Sequence, residues 1–230
     1  MTELITALDF PEAKSALETV DRIGSACLWY KVGKELFTAV GPEIVRELKA
    51  RGKKVFLDMK FHDIPNTVSK AIHSAAAIGA DLCNVHASGG TAMLTAAATA
   101  AQEAGILCVA VTVLTSMDEA ELASIGLHVT PQEQVKRLAL LTQKCGVPGV
   151  VCSALELPVI HHCCGGEFIT VVPGIRPAGA SADDQKRIMT PAQAAQAGAT
   201  FIVVGRPITK ANDPAEAAAK CLQELRGPNK

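Results

Sequence analysis

The sequence predicts an α/β fold, a (β/α)8 TIM barrel made by the whole 230-residue chain, 1–230, as a single domain. Three observations lead there. Short β-branched runs alternate with longer Ala- and Leu-rich stretches along the chain. Glycines recur where each helical stretch gives way to the next strand. Charged residues gather at the ends of otherwise apolar strands. Eight strand–helix units within about 250 residues close most economically as such a barrel. The rival is an open doubly wound sheet. Its G-x-G-x-x-G fingerprint is missing, since no two glycines are spaced i, i+2, and there is no Walker A motif.

The candidate strands are 4–8, 28–32, 55–57, 82–85, 107–113, 149–152, 168–172 and 201–204. Each is short, apolar and bounded by turn residues, as strands covered on both faces are. Candidate helices are 12–23, 42–50, 67–78, 91–104, 131–145, a shorter one near 154–162, 191–197 and 214–225. Pro11, Pro42, Pro131, Pro191 and Pro214 suit first-turn positions, where a missing N–H is harmless. Gly24, Gly52, Gly79, Gly105, Gly146 and Gly198 suit helix ends that need φ > 0. The long interval from Gly105 to Gly146 leaves room for a short helix within 116–130.

Composition narrows the function. Hydrophobic residues make 49% of the chain and charged residues 20%, which excludes a disordered protein. A net charge of −1 supplies no global field toward nucleic acid or an anionic membrane. The uncharged stretches 82–102 and 188–205 are interrupted by polar residues and Gly or Pro, so neither suits lipid. Glu3, Asp9 and Glu12 near the start argue against a signal peptide. The eight cysteines include no C-x-x-C pair and mostly sit in apolar runs, which points to a reduced, cytoplasmic chain. His161-His162-Cys163-Cys164 reads as a helix end, because adjacent residues diverge and no second ligand pair stands at zinc spacing.

In this fold, chemistry sits at the carboxy-terminal strand ends. There the sequence places Asp9, Lys31, Asp58 with Lys60, Asn84 with His86, Thr112 with Thr115, Pro173-Gly174-Ile175-Arg176, and Gly205-Arg206. Alternation along a strand puts Asp58 and Lys60 on one face, with Leu57 and Met59 on the other. Asp63 follows in the turn before Pro65. Anions on both sides raise a lysine's pKa, which makes Lys60 a poor nucleophile and a suitable proton donor. The same residues also read as a buried ion-pair triad at a barrel rim. His86 faces the mouth, either as a donor to the charged array or as a satisfied rim histidine. His62 reads as pointing outward, and Trp29 and Tyr30 as packing against helices. Cys83 and Cys152 read as strand residues rather than nucleophiles.

The string Asp58-x-Lys60-x-x-Asp63-Ile64-Pro65-Asn66-Thr67 resembles the signature of the orotidine 5′-monophosphate decarboxylase family in its bacterial form. So do Ala7-Leu8-Asp9, Lys31-Val32-Gly33, Asn84-Val85-His86-Ala87, Val111-Thr112-Val113-Leu114-Thr115-Ser116, Pro173-Gly174-Ile175-Arg176-Pro177 and Val204-Gly205-Arg206-Pro207-Ile208, in the family's order. The resemblance implies a homodimeric barrel that converts orotidine 5′-phosphate to uridine 5′-phosphate and CO2 without metal or organic cofactor. It implies Lys60 as proton donor, Asp58 beside the substrate carboxylate, and Lys31 completing the array and touching the ribose. Asp9 would also bind ribose, and Thr115 the pyrimidine. Asp63 and Thr67 would reach the neighbouring subunit's site. Arg206, Gly205 and Gln185 would hold phosphate, with Arg176 nearby.

The residues agree with this chemistry. Loss of CO2 from a pyrimidine carbon leaves a poorly delocalised carbanion, which a fixed ammonium can stabilise and then protonate. Repulsion between Asp58 and a substrate carboxylate is a secondary, ground-state contribution. Phosphate sites commonly follow strands seven and eight of this fold, and the long stretch 174–187 predicts a lid over the phosphate. Two other functions compete. One is a metal-assisted sugar-phosphate decarboxylase or aldolase of the same barrel group, with Asp58 and Asp63 on magnesium; the Ile64-Pro65-Asn66-Thr67 continuation argues against it. The other is a non-catalytic nucleotide-phosphate-binding barrel, against which the presence of both Asp58 and Lys60 weighs.

Overall fold

Strand alternation sorts the chain into two apolar shells. In the computed structural model, which describes residues 1–177 and 189–227, eight parallel strands close into a barrel in chain order. They are β1 (Glu3–Leu8), β2 (Trp29–Gly33), β3 (Lys54–Phe61), β4 (Leu82–His86), β5 (Leu107–Val111), β6 (Gly149–Val151), β7 (Ile169–Val172) and β8 (Phe201–Val204), with β8 pairing back onto β1. The helices are α1 (Ala13–Ile23), α2 (Lys34–Val40), α3 (Glu43–Ala50), α4 (Pro65–Ala77), α5 (Gly90–Ala104), α6 (Glu119–Ser124), α7 (Pro131–Lys144), α8 (Leu157–Cys164), α9 (Pro191–Gln196), α10 (Arg206–Thr209) and α11 (Pro214–Arg226).

The punctuation behaves as its chemistry requires. Gly24, Gly52, Gly79, Gly105, Gly146 and Gly198 all have positive φ. Pro131, Pro191 and Pro214 open α7, α9 and α11. Pro11 and Pro42 do not lie inside a first turn: Glu12 and Pro42 themselves are the capping residues of α1 and α3. Two helices escaped the sequence reading. α2 fits between Gly33, extended, and Gly41 at φ 71°, and α10 is a single turn after Gly205. The short helix expected within 116–130 is α6, capped by Asp118, whose side chain accepts from the Glu121 N–H. β3 runs on to Phe61, and β5 stops at Val111, short of the expected Val113.

The outer shell packs Leu4, Leu8, Tyr30, Val32, Leu57, Val85 and Ile202 against the helices. The inner shell fills the barrel with Ile5, Ala7, Trp29, Phe56, Leu82, Val109, Val171, Phe201 and Val203. Trp29 therefore points inward, contrary to the expectation that it packs against helices. Its parity is that of Lys31, and a strand cannot aim two such residues at opposite faces. At the amino-terminal end its ring meets Phe201 edge-on with centroids 5.3 Å apart. Its Nε1 donates to Glu3 at 2.8 Å, and Lys54 Nζ lies 5.1 Å from the ring centroid.

All cysteines are free thiols, and all but Cys163 and Cys164 are buried. His161 to Cys164 form the end of α8, stopped by Gly165 at φ 88°. Among the described residues no helix is long and apolar enough to cross a membrane.

β6 and β7 approach most tightly at Gly149, where a methyl group would run into the Ile169 carbonyl. Overpacking of this kind costs about 1–3 kcal/mol. Gly149→Ala is expected to lower the urea midpoint accordingly. Gly166→Ala, at a site with open space around it, should change stability by less than about 0.5 kcal/mol. Equal midpoints for the two variants would contradict the tight β6–β7 approach.

Candidate active site

A chain of alternating charges crosses the carboxy-terminal mouth of the barrel. Asp9, just past β1, accepts from Lys31 Nζ at 2.8 Å. Lys31 lies 3.5 Å from Asp58 Oδ2, and Asp58 Oδ1 accepts from Lys60 Nζ at 2.6 Å. Side-chain exposure rises outward, from 12% for Lys31 and 13% for Asp58 to 25% for Lys60 and 57% for Asp9. The weight of the array therefore lies on the inner three groups, where charges are less screened. Burial alone would lower the Lys31 pKa, but Asp58 and Asp9 outweigh it and the net shift is upward from 10.5. A raised lysine pKa stabilises the fold fully below its unfolded value and loses that contribution only as pH climbs above it. The Lys31 pair is thus intact throughout the neutral range.

The local backbone that aims Lys60 is unusual. Leu57 pairs with Cys83 and Phe61 with Val85, so four residues along β3 face two along β4. β3 bulges at this point, and Lys60 takes φ 55°, the one non-glycine positive φ among the described residues. A left-handed lysine costs about 1–3 kcal/mol. Its backbone N–H donates to Asn84 Oδ1 at 2.8 Å, and Asn84 Nδ2 donates to Asp58 Oδ1 at 2.8 Å. The amide–carboxylate bond contributes about 1.5–3 kcal/mol and the other about 1, enough to hold the strained residue. Gly33 supplies room: a methyl there would stand 2.7 Å from Lys31 Nζ and 3.4 Å from Asp9 Oδ1.

Beside the array opens a cavity of about 210 Å³. Lys31, Asp58 and Lys60 form its charged wall, Val111, Val113, Leu114 and Pro173 an apolar one, with Thr115 also lining it. Thr112 is not at the mouth: it lies on the outer face, buried, and its hydroxyl donates to the Val151 carbonyl at 3.0 Å. Gly205 sits by Asp9, since a methyl on it would touch Asp9 Oδ2 at 3.7 Å, and Arg206 follows, exposed, in α10. Arg176 is buried and does not line the cavity; its backbone N–H donates to the Met189 carbonyl at 3.0 Å, tying 176 to 189. Gln185 and most of the expected lid, 174–187, lie outside the described residues.

Asp63 corrects the picture of a lysine flanked by two carboxylates within one chain. β3 ends at Phe61, and the chain turns outward into α4, so Asp63 is exposed and its Oδ1 accepts from the Ile64 N–H at 2.6 Å. Only Asp58 pairs with Lys60 among the described residues. Thr67, in the first turn of α4, is likewise exposed. His62 is exposed as expected, yet its ring meets that of half-buried His86, with centroids 5.5 Å apart. Burial holds the His86 pKa below 6.5, and His62, Lys60 and Lys34 push it the same way against Asp58. Sequence reasoning placed Asn84 at a strand end and Gly33 only within a family motif, without giving either a task. A buried amide in an apolar strand was the available signal, because such a group must find partners.

The mouth thus presents an ammonium fixed by a carboxylate, next to a partly open hollow with an apolar side. It suits a flat ring whose reaction builds negative charge beside Lys60.

A family model described as "Orotidine 5′-phosphate decarboxylase / HUMPS family" matches residues 2–221. The orotidine 5′-phosphate decarboxylase of Vibrio parahaemolyticus is 55% identical over 216 residues, 93% of each chain. That of Nitrosospira multiformis is 51% identical over 222 residues, 96% of this chain and 93% of the relative. The crystal structure of orotidine 5′-phosphate decarboxylase from Lactobacillus acidophilus superposes with a TM-score of 0.88 at 35% identity, covering 98% of this chain and 99% of that one.

A histidine kept neutral by the fold but free to protonate when unfolded costs stability as pH falls below about 6.5. His86→Gln is expected to lose less stability between pH 7.5 and pH 5.5 than the parent protein, measured by urea unfolding. Identical losses would show that His86 protonates as easily in the folded state.

Proposed function

The chain belongs to the orotidine 5′-phosphate decarboxylase / HUMPS family, and on that premise we propose how its barrel mouth carries out the reaction. The activity is that of a carboxy-lyase: orotidine 5′-monophosphate is converted to uridine 5′-monophosphate and CO2, the last step of de novo UMP biosynthesis. The observation that carries the mechanism is Asp58, with one lysine at each carboxylate oxygen, on the wall of the mouth cavity.

The pyrimidine enters the cavity with its carboxylate toward Asp58 and Lys60. The carbon–carboxylate bond breaks, its electron pair stays on the ring carbon, and CO2 leaves. The Lys60 ammonium stabilises that pair as it forms and then delivers its proton to the same carbon. Because Asp58 already orients the ammonium, little reorganisation accompanies the step. Asp58 also repels the substrate carboxylate, a repulsion that vanishes with CO2. Lys31 and Asp9 bind the ribose, and Thr115 meets the pyrimidine. Gly205 and Arg206, with Gln185, hold the phosphate, and Arg176 stands nearby. Binding energy from that remote group serves the reacting end.

The protein works in the cytoplasm as one domain per subunit and as a homodimer, with Asp63 and Thr67 completing the partner's site. Their exposure outside their own cavity supports this arrangement.

Purified protein mixed with orotidine 5′-monophosphate should lose the substrate's ultraviolet absorbance, at the same rate with and without chelator. Loss of turnover in chelator would favour a metal-assisted reaction. Lys60→Ala should fold and lose at least about 10⁴-fold in kcat; a variant within tenfold of the parent would refute the proton-donor role. Mixing Lys60→Ala with Asp63→Asn subunits should restore about a quarter of parental activity, since half the dimers are hybrid and each has one intact site. Zero recovery with proven subunit exchange would remove Asp63 from the shared site.

A further inference from the structure

We propose that Asn84 is a positioning residue for the decarboxylation, the group that keeps Lys60 in its left-handed conformation and Asp58 turned toward it. This rests on the reading of Lys60 as proton donor.

Asn84 is completely buried on β4, on the face it shares with Leu82 and His86. Its two amide atoms serve two parts of the β3 bulge. Oδ1 receives the Lys60 N–H, and Nδ2 supplies a proton to Asp58 Oδ1, the same oxygen that receives the Lys60 ammonium. The bulge leaves that N–H without a strand partner, since the regular pairing breaks between Leu57 and Phe61. A side chain at this point must therefore accept at one end and donate at the other, at fixed length. Among short side chains only Asn does both in one plane. Asp accepts but brings a second carboxylate against Asp58. Ser offers one short hydroxyl, and Ala nothing. With the amide gone, Lys60 has no reason to stay at φ 55° and its ammonium leaves the geometry in which Asp58 holds it.

The inference is tested with Asn84→Asp, Asn84→Ser and Asn84→Ala, after the parent protein has been shown to decarboxylate orotidine 5′-monophosphate. A parent without that activity would defeat the functional reading and would leave the structural arm below to judge Asn84. In the variants kcat is expected to fall by about 100-fold or more, with KM and affinity for uridine 5′-monophosphate within about threefold. Asn84→Asp should also differ from the parent in its pH profile. Two facing carboxyls raise one pKa, and once protonated the introduced group donates to Asp58 as the amide did, so its kcat should rise as pH is lowered from 8 to 6. A kcat within threefold of the parent at pH 8 in any folded variant would overturn the proposal. So would a kcat loss matched by an equal loss of product affinity, or a flat pH response in Asn84→Asp. The structural arm needs no substrate: a crystal structure of Asn84→Ser should show Lys60 out of the left-handed region. Lys60 still near φ 55° would overturn the proposal even if activity fell. If Asn84→Ala does not fold, the polar variants carry all these outcomes.

Discussion

The arrangement of this barrel mouth depends on one carboxylate, Asp58, shared between two lysines. Each of its oxygens faces an ammonium, Lys31 at 3.5 Å and Lys60 at 2.6 Å. Without it, two cations would confront one another across a partly buried wall, and removing one partner of such a pair typically costs about 3–5 kcal/mol. The pairing therefore bears on stability as well as on the proposed chemistry. It keeps positive charge on the wall of the mouth cavity, and it holds that charge still. Asn84 adds a third donor to the same carboxylate, so that its direction is fixed from two strands.

The rest of the architecture makes space for that group. Gly33 stands beside Lys31 and Asp9, where a side chain would press on the array, and Gly205 lies within ordinary contact of Asp9. Below it, Ile5, Ala7, Phe56, Val171 and Val203 fill the barrel with apolar side chains. Polar atoms at the mouth consequently have only one another, the solvent or a ligand as partners. An unpaired charge is expensive there, which favours the alternation of sign along Asp9, Lys31, Asp58 and Lys60.

Much of this was legible in the sequence, because it rests on periodicity and on residues with special backbones. Positive φ at six helix-terminating glycines located the strands that follow. Alternation put Asp58 and Lys60 on one face and exposed Leu57 and Met59 to the outer shell. The same rule, applied to β2, turns Trp29 inward with Lys31, so that of the two aromatic neighbours only Tyr30 packs against the helices. The β3 bulge was beyond reach. Nothing in Asp58-Met59-Lys60-Phe61 marks a left-handed residue, since lysine is not a turn former and no glycine or asparagine is adjacent. For the same reason Asp63 read as a near neighbour of Lys60, whereas the chain has already turned away. α2 and α10 were missed because helices of seven and four residues carry too few turns for a periodic signal.

The aromatic packing at the amino-terminal end has a consequence for traffic. Trp29 and Phe201, with Glu3 and Lys54 around the indole, act as a stopper in that end of the cylinder. A closed ring of eight strands offers no side door. Among the described residues, then, the hollow beside the charges is reached from the carboxy-terminal rim, and gas and nucleotide depart on the same side of the cylinder.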